Sequence, residues 1–248
     1  MIKTSNPDEN ISVVILAAGF GMRLRNNKPK ALVGIADNKT ILDYQVENLS
    51  KHVGIDNIIV VVGYKKEFVM EQHPELNFVY NESYVQTNTG KSLLKALKKI
   101  KNSSVLWLNG DVVFDERIIP ELINKAKTTK ASCVLVDNKR CGEEEVKYNL
   151  DNGGYISSIS KEVKNPKGEA LGINLVIEKD LPPLIKNLNL INDQDYFEKA
   201  IANAIYKEGI KFLPVNTGGL FCSEVDFPED LAAVKKYLSI LSKEIVLT

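Results

Sequence analysis

The chain has 248 residues, 44% hydrophobic and 26% charged, with 15 Gly and 9 Pro, which is enough apolar material for one sizeable core. Thirty-two Lys and Arg balance thirty-two Asp and Glu, so no bulk basic field exists to hold nucleic acid or an anionic membrane. No apolar run nears the ~20 residues that span a bilayer, the polar start Met1–Asn10 lacks the apolar stretch of a signal peptide, and three scattered cysteines without a CxxC (Cys133, Cys141, Cys222) suggest neither a disulfide framework nor a zinc site, so a soluble cytoplasmic protein is expected.

In chain order, Ser12–Ala17, Asn57–Val62, Asn77–Tyr80, Ser104–Asn109 and Ala131–Val136 read as short strands rich in Val and Ile. The near-continuous apolar character of the first, second and fourth fits strands covered on both faces of a largely parallel sheet. Helical stripes fall between them. Thr40–His52 carries Ile41, Tyr44 and Leu49 behind a Thr40 N-cap, Gly90–Lys101 carries Leu93, Leu94, Leu97 and Ile100, and Asp115–Ala126 has the same character. The alternation predicts an α/β fold with a doubly wound, mostly parallel mixed sheet.

After Asp137 the pattern changes. Glu145–Leu150, Ile156–Ser160 and Ala170–Ile177 read as strands joined by turn signals at Asn152-Gly153-Gly154 and Asn165–Gly168, so residues 138–178 are expected to form a small antiparallel insertion covering one side of a site. Helices return at Asp193–Glu208 and Pro228–Leu241, with Pro228 suited to a first turn. No linker or repeat interrupts the chain, and residues 1–248 read as one domain.

The first strand runs directly into Leu16-Ala17-Ala18-Gly19-Phe20-Gly21-Met22-Arg23-Leu24, followed by Lys28-Pro29-Lys30. Small residues let backbone N–H groups approach an anion, and Arg23, Lys28 and Lys30 add formal positive charge, so the stretch suits a triphosphate. A dinucleotide fingerprint would need a third glycine where Leu24 stands. A Walker A loop would need glycine at Val85, ahead of Gly90-Lys91-Ser92. Asp111 follows the fourth strand in Asn109-Gly110-Asp111, at the end of a strand where open α/β sheets bind ligands. Asp226 lies in Glu224-Val225-Asp226-Phe227-Pro228-Glu229-Asp230-Leu231, leading into the last helix. Two carboxylates meeting at a triphosphate would hold Mg²⁺, whereas taken singly Asp111 is equally a turn former and Asp226 or Asp230 a helix-start carboxylate.

Leu16–Leu24 with Lys30 resembles the signature Leu-Ala-Ala-Gly-x-Gly-x-Arg-Leu … Pro-Lys of the nucleotidyltransferases that make nucleotide-activated sugars and alcohols, and family elements continue in order along nearly the whole chain. The resemblance implies a Rossmann-like nucleotidyltransferase fold in which Leu16, Ala17, Ala18, Gly19 and Gly21 wrap the nucleotide. It further implies that Arg23 and Lys30 act on the α-phosphate and leaving pyrophosphate, and that Asp111 and Asp226 hold Mg²⁺, with Glu224 as a neighbouring candidate.

The loop Asn81–Leu94 is dense in amides and hydroxyls and resembles that of phosphocholine cytidylyltransferase-like enzymes, which implies CTP as donor and adds Asn88, Thr89, Gly90 and Ser92 to the nucleotide site. The alternative role for this loop is an N-capped helix start. Sugar-specific relatives usually place Gln-Pro-x-Gly there, and Gln86 is followed by Thr87.

On the acceptor side the resemblance implies Tyr84, Lys147, Lys161, Glu169, Gly172, Tyr196 and Glu198. The lysines would bind a phosphate or phosphonate, the glutamates a hydroxyl or amine, and the tyrosines a cationic head. The reaction expected is transfer of CMP from CTP to a small phosphorylated acceptor such as phosphocholine, aminoethylphosphonate or an inositol phosphate. The rivals are a sugar-1-phosphate nucleotidyltransferase using UTP or dTTP and an inactive nucleotide-binding regulator. The family often dimerises through the inserted hairpin, and Ala131–Lys147 would serve a homodimer.

Overall fold

The computed structural model describes residues 10–21 and 28–246. Arg23, predicted from the resemblance to act on the phosphates, lies outside them. In chain order the elements are β1 (Ile11–Ala17), β2 (Gly34–Ala36), β3 (Lys39–Thr40), α1 (Ile41–Ser50), β4 (Ile58–Val62), α2 (Lys66–Gln72), β5 (Asn77–Tyr80) and α3 (Thr89–Leu97). They continue through β6 (Ser104–Asn109), β7 (Val112–Phe114), α4 (Ile118–Thr129), β8 (Ser132–Asp137), β9 (Lys147–Leu150), β10 (Ile156–Ser160) and β11 (Gly168–Val176). The last are α5 (Leu181–Leu190), α6 (Phe197–Glu208), β12 (Phe212–Asn216), β13 (Cys222–Glu224) and α7 (Pro228–Val246).

The main sheet runs β10-β9-β11-β6-β1-β4-β5, with β8 against β11 and β12 against β8. β5, β4, β1 and β6 are mutually parallel, and β11 turns the sheet antiparallel by pairing Ile173–Val176 with Val105–Leu108 of β6. Both faces of β1 are buried: Val13 and Ile15 point into the core beneath α1 and α4, while Val14 and Leu16 join the one beneath α3, α5 and α6. That double burial is why the strand reads as an unbroken apolar run. The predicted insertion is continuous with the main sheet, because β11 pairs with β6, β8 and β9.

Several elements differ from the sequence pattern. α5 begins with Pro182 and Pro183 in its first turn, where a missing N–H costs nothing, so residues that read as breakers start a helix. β12 contains Pro214 and, among the described residues, pairs only with β8, an edge position that tolerates proline. The helix predicted from Asp193 starts at Phe197, because the Asp195 carboxylate accepts from the Asn192 N–H at 2.8 Å and holds a turn there.

α6 is tied to the sheet by Phe197, fully buried edge-on against Trp107 of β6 with ring centroids 5.7 Å apart. Burying aromatics of this size is worth about 2–3 kcal/mol each. It also sets Tyr196 and Glu198 beside the end of β6.

Candidate active site

β1 is flanked by β4 on one side and β6 on the other, so the strand order reverses there and opens a crevice at the carboxyl ends of β1 and β6. A cleft of about 730 Å³ occupies that point, walled at one end by Leu16, Ala17, Gly19, Gly21, Lys30 and Asp111.

Lys30 opens a short 3₁₀ turn, Lys30–Leu32, anchored by buried Ala31 and Leu32. Its Nζ donates to Asp111 Oδ2 and to Asp226 Oδ1, each at 2.6 Å. Three residues separated by 81 and 196 positions therefore converge at one point. Burial acts to lower the Lys30 pKa, but the charges and hydrogen bonds of both aspartates outweigh it and leave the ammonium above its ordinary value.

The convergence depends on a two-stranded ribbon too short to show periodicity. β13 pairs antiparallel with β7, placing Glu224 opposite Val112, and the Val225 N–H donates to Asp111 O at 2.9 Å. Asp226 is thereby set next to Asp111. The helix-start role falls to Asp230, whose Oδ2 accepts from the Asp226 and Phe227 N–H groups at 3.0 and 2.8 Å. The Asp226 carboxylate meets the Lys30 ammonium.

The turn carrying Asp111 is clamped from behind. Gln45, fully buried on α1, donates through Nε2 to Asn109 O at 2.9 Å and to Val112 O at 2.7 Å, the carbonyls flanking Gly110-Asp111. The Gly110 N–H donates to Leu16 O at 2.9 Å, closing the turn onto the glycine loop. Asn109 Nδ2 donates to Glu224 Oε1 at 3.0 Å. Gly172 faces this pair with φ +69°, and a Cβ there would stand 2.8 Å from Asn109 Nδ2 and 2.9 Å from Glu224 Oε1. Burial and the Asp111 charge push the Glu224 carboxyl well above its usual range.

At the other end the cleft is lined by Lys161, Glu169, Tyr196 and Glu198, together with Lys139, Glu144 and Glu145. Lys139 Nζ pairs with Glu169 Oε2 at 2.9 Å, and Lys161 Nζ pairs with Glu144 Oε2 at 3.2 Å. Burial pushes the Glu198 carboxyl up to about 7, against weaker opposition from its own backbone N–H and from Lys161. Asn88 and Thr89 reach the cleft from the start of α3, where Asn88 Oδ1 accepts from the Thr89 N–H at 2.8 Å.

Other predicted positions lie off these walls. The Ser92 hydroxyl accepts from buried Asn81 Nδ2 at 2.9 Å, holding the loop's own fold. Gly90 packs against Ile191 and Asp195, where a side chain would collide. Tyr84 stacks obliquely on Phe20 at 5.2 Å and backs the loop, while Ala18 turns its carbonyl to the Tyr64 N–H. Lys147 Nζ donates to the carbonyls of Glu143 and Lys161. Gly172 sits behind Glu224, and Lys28 is exposed away from the walls. Gln45, Asn109 and Lys139 were not singled out by sequence, whereas Glu145 lies in Glu143-Glu144-Glu145-Val146-Lys147, a stretch that resembles family segments lining the acceptor side.

Among the described residues Asp111 Oδ1 is buried without a hydrogen-bond partner, and the side chain faces a second carboxylate across the Lys30 ammonium. Hard oxygens of this kind suit Mg²⁺, which takes one or two carboxylates and completes its shell with phosphate oxygens and water. Among the described residues no group of three or more acidic, His or Cys side chains forms a fuller metal cage, and no helix is long and apolar enough to cross a membrane.

The MobA-like NTP transferase domain family matches residues 13–201. A stretch of 104 residues is 44% identical to the bifunctional protein GlmU of Francisella tularensis subsp. novicida, covering 41% of this chain and 22% of that protein's length. Among solved structures, the inositol-1-phosphate CTP transferase of T. maritima superposes with a TM-score of 0.76 at 18% identity, covering 92% of this chain and 94% of the other. The CTP:phosphocholine cytidylyltransferase of Streptococcus pneumoniae gives 0.71 at 21%, covering 92% and 99%. A Bacillus anthracis protein described as a candidate glucose-1-phosphate thymidylyltransferase gives 0.74 at 18%, covering 92% and 95%. At these identities the structures share the fold.

Proposed function

The chain belongs to the MobA-like NTP transferase domain family, and from that premise we propose that it is a Mg²⁺-dependent cytidylyltransferase, moving CMP from CTP to a small phosphorylated or phosphonylated acceptor. The observation that carries this reading is the meeting of Lys30, Asp111 and Asp226 at the switch-point cleft.

A phosphate or phosphonate oxygen of the acceptor attacks the α-phosphorus in line. The new O–P bond forms as the bond to the bridging oxygen breaks, and pyrophosphate departs with that electron pair. The attacking oxygen is already an anion at neutral pH, so no general base is required. Lys30 neutralises charge growing on the α-phosphate oxygens, and the two aspartates hold its ammonium in place. Backbone of Leu16–Gly21 approaches the phosphates, while Asn88 and Thr89 supply polar groups toward the nucleoside. Mg²⁺ on Asp111 and Asp226 would add positive charge against the phosphates.

The choice of CTP rests on the resemblance of the Asn81–Leu94 loop to cytidylyltransferases and is supported by the two structural relatives named for CTP. Pyrophosphate release from CTP, UTP, dTTP, ATP and GTP, each with Mg²⁺ and a mixture of phosphorylated alcohols and sugar 1-phosphates, tests it. CTP is expected to exceed the others by at least ~10-fold in kcat/KM. A preference for UTP or dTTP with a sugar 1-phosphate would replace this reading with the sugar-nucleotide one, and no release from any pair would leave an inactive binder.

A further inference from the structure

The acceptor end of the cleft carries four glutamates, Glu144, Glu145, Glu169 and Glu198, against two lysines, Lys139 and Lys161. Both lysines are committed, Lys139 to Glu169 and Lys161 to Glu144. Among the described residues Glu145 and Glu198 have no ion-pair partner. Among the described residues Glu145 Oε2 and Glu198 Oε2 are buried without any hydrogen-bond partner, and Glu198 is only 8% exposed. A buried carboxylate left in this state is costly, and a ligand that supplies both positive charge and N–H donors relieves it.

We propose that the acceptor bears a primary ammonium as well as its phosphate or phosphonate, and that the buried Glu198 carboxyl group receives that ammonium. The proposal rests on the nucleotidyl-transfer reading and narrows its acceptor. A neutral polyol would offer hydroxyl donors but bring no positive charge to the buried Glu198 carboxyl group. A quaternary ammonium brings charge without a hydrogen to donate, and it binds best among open aromatic faces. Beside Glu198, Lys161 Nζ stands 5.3 Å from the Tyr196 ring centroid, and Phe197 is buried against Trp107.

The test uses acceptors of equal length with CTP and Mg²⁺: O-phosphoethanolamine, its trimethylammonium counterpart phosphocholine, and 2-hydroxyethyl phosphate, with 2-aminoethylphosphonate to separate phosphate from phosphonate. Pyrophosphate release should favour the primary ammonium compounds by about 100-fold in kcat/KM over the other two. Glu198→Gln should shrink that preference to a few-fold, chiefly by raising KM for the primary ammonium compounds. Equal or better turnover of phosphocholine or the hydroxyl compound overturns the proposal, as does an unchanged preference in Glu198→Gln. Turnover of a sugar 1-phosphate alone defeats it while nucleotidyl transfer stands. Absence of pyrophosphate with every acceptor defeats both.

Discussion

Glu198 makes a prediction about stability that is independent of turnover. Its carboxyl is pushed by burial from 4.5 up to about 7 in the folded chain, so between these values the folded state holds a proton that the unfolded chain releases. Stability is therefore greatest below the unfolded value, falls as pH rises through this window, and carries the full penalty above about 7. A separation of this size corresponds to roughly 3 kcal/mol. Glu198→Gln keeps the shape and the backbone contact while removing the titration. For a chain of this length each kcal/mol moves the melting temperature by about 2–4 °C, so the variant should melt about 6–12 °C above wild type near pH 8.5. The two should nearly coincide near pH 5. Thermal melts by circular dichroism at both pH values measure this. A variant no more stable than wild type at the higher pH would show that the carboxylate is not desolvated as the cleft geometry implies. The accompanying loss of preference for amine acceptors would mark a group kept for binding at a cost in stability.

Lys30→Ala should lower pyrophosphate release by about 10³-fold. It should also lower the melting temperature, since Asp111 and Asp226 would face each other without their shared cation, and added Mg²⁺ should restore more stability to the variant than to wild type. Gln45→Met removes the clamp on the Asn109 and Val112 carbonyls, so kcat should fall by about 10-fold or more with little change in the KM for CTP. Steady-state kinetics separate these parameters, and a change confined to KM would deny Gln45 its positioning role.

The parallel half of the fold was legible because double burial forces an unbroken apolar run, as in Val13–Leu16 and Val105–Leu108. Lys30 and the aspartates were legible as residue types at strand ends and by resemblance. Their meeting was not, because β7 and β13 have three residues each and express no period. Gln45 was hidden for another reason. A polar residue on a helix face reads as solvent-exposed, and only tertiary structure shows its amide buried against two carbonyls. The loop Asn81–Ser92 divided between the two readings open in its sequence, with Asn81 and Ser92 holding the loop and Asn88 and Thr89 reaching the cleft.

A crystal structure with a non-hydrolysable CTP analogue and Mg²⁺ tests the central claim most directly. The account predicts the triphosphate along Leu16–Gly21, the Lys30 ammonium on the α-phosphate, and the metal bound by Asp111 and Asp226. A nucleotide seated elsewhere, or a triphosphate in the cleft touching neither Lys30 nor the two aspartates, would contradict it.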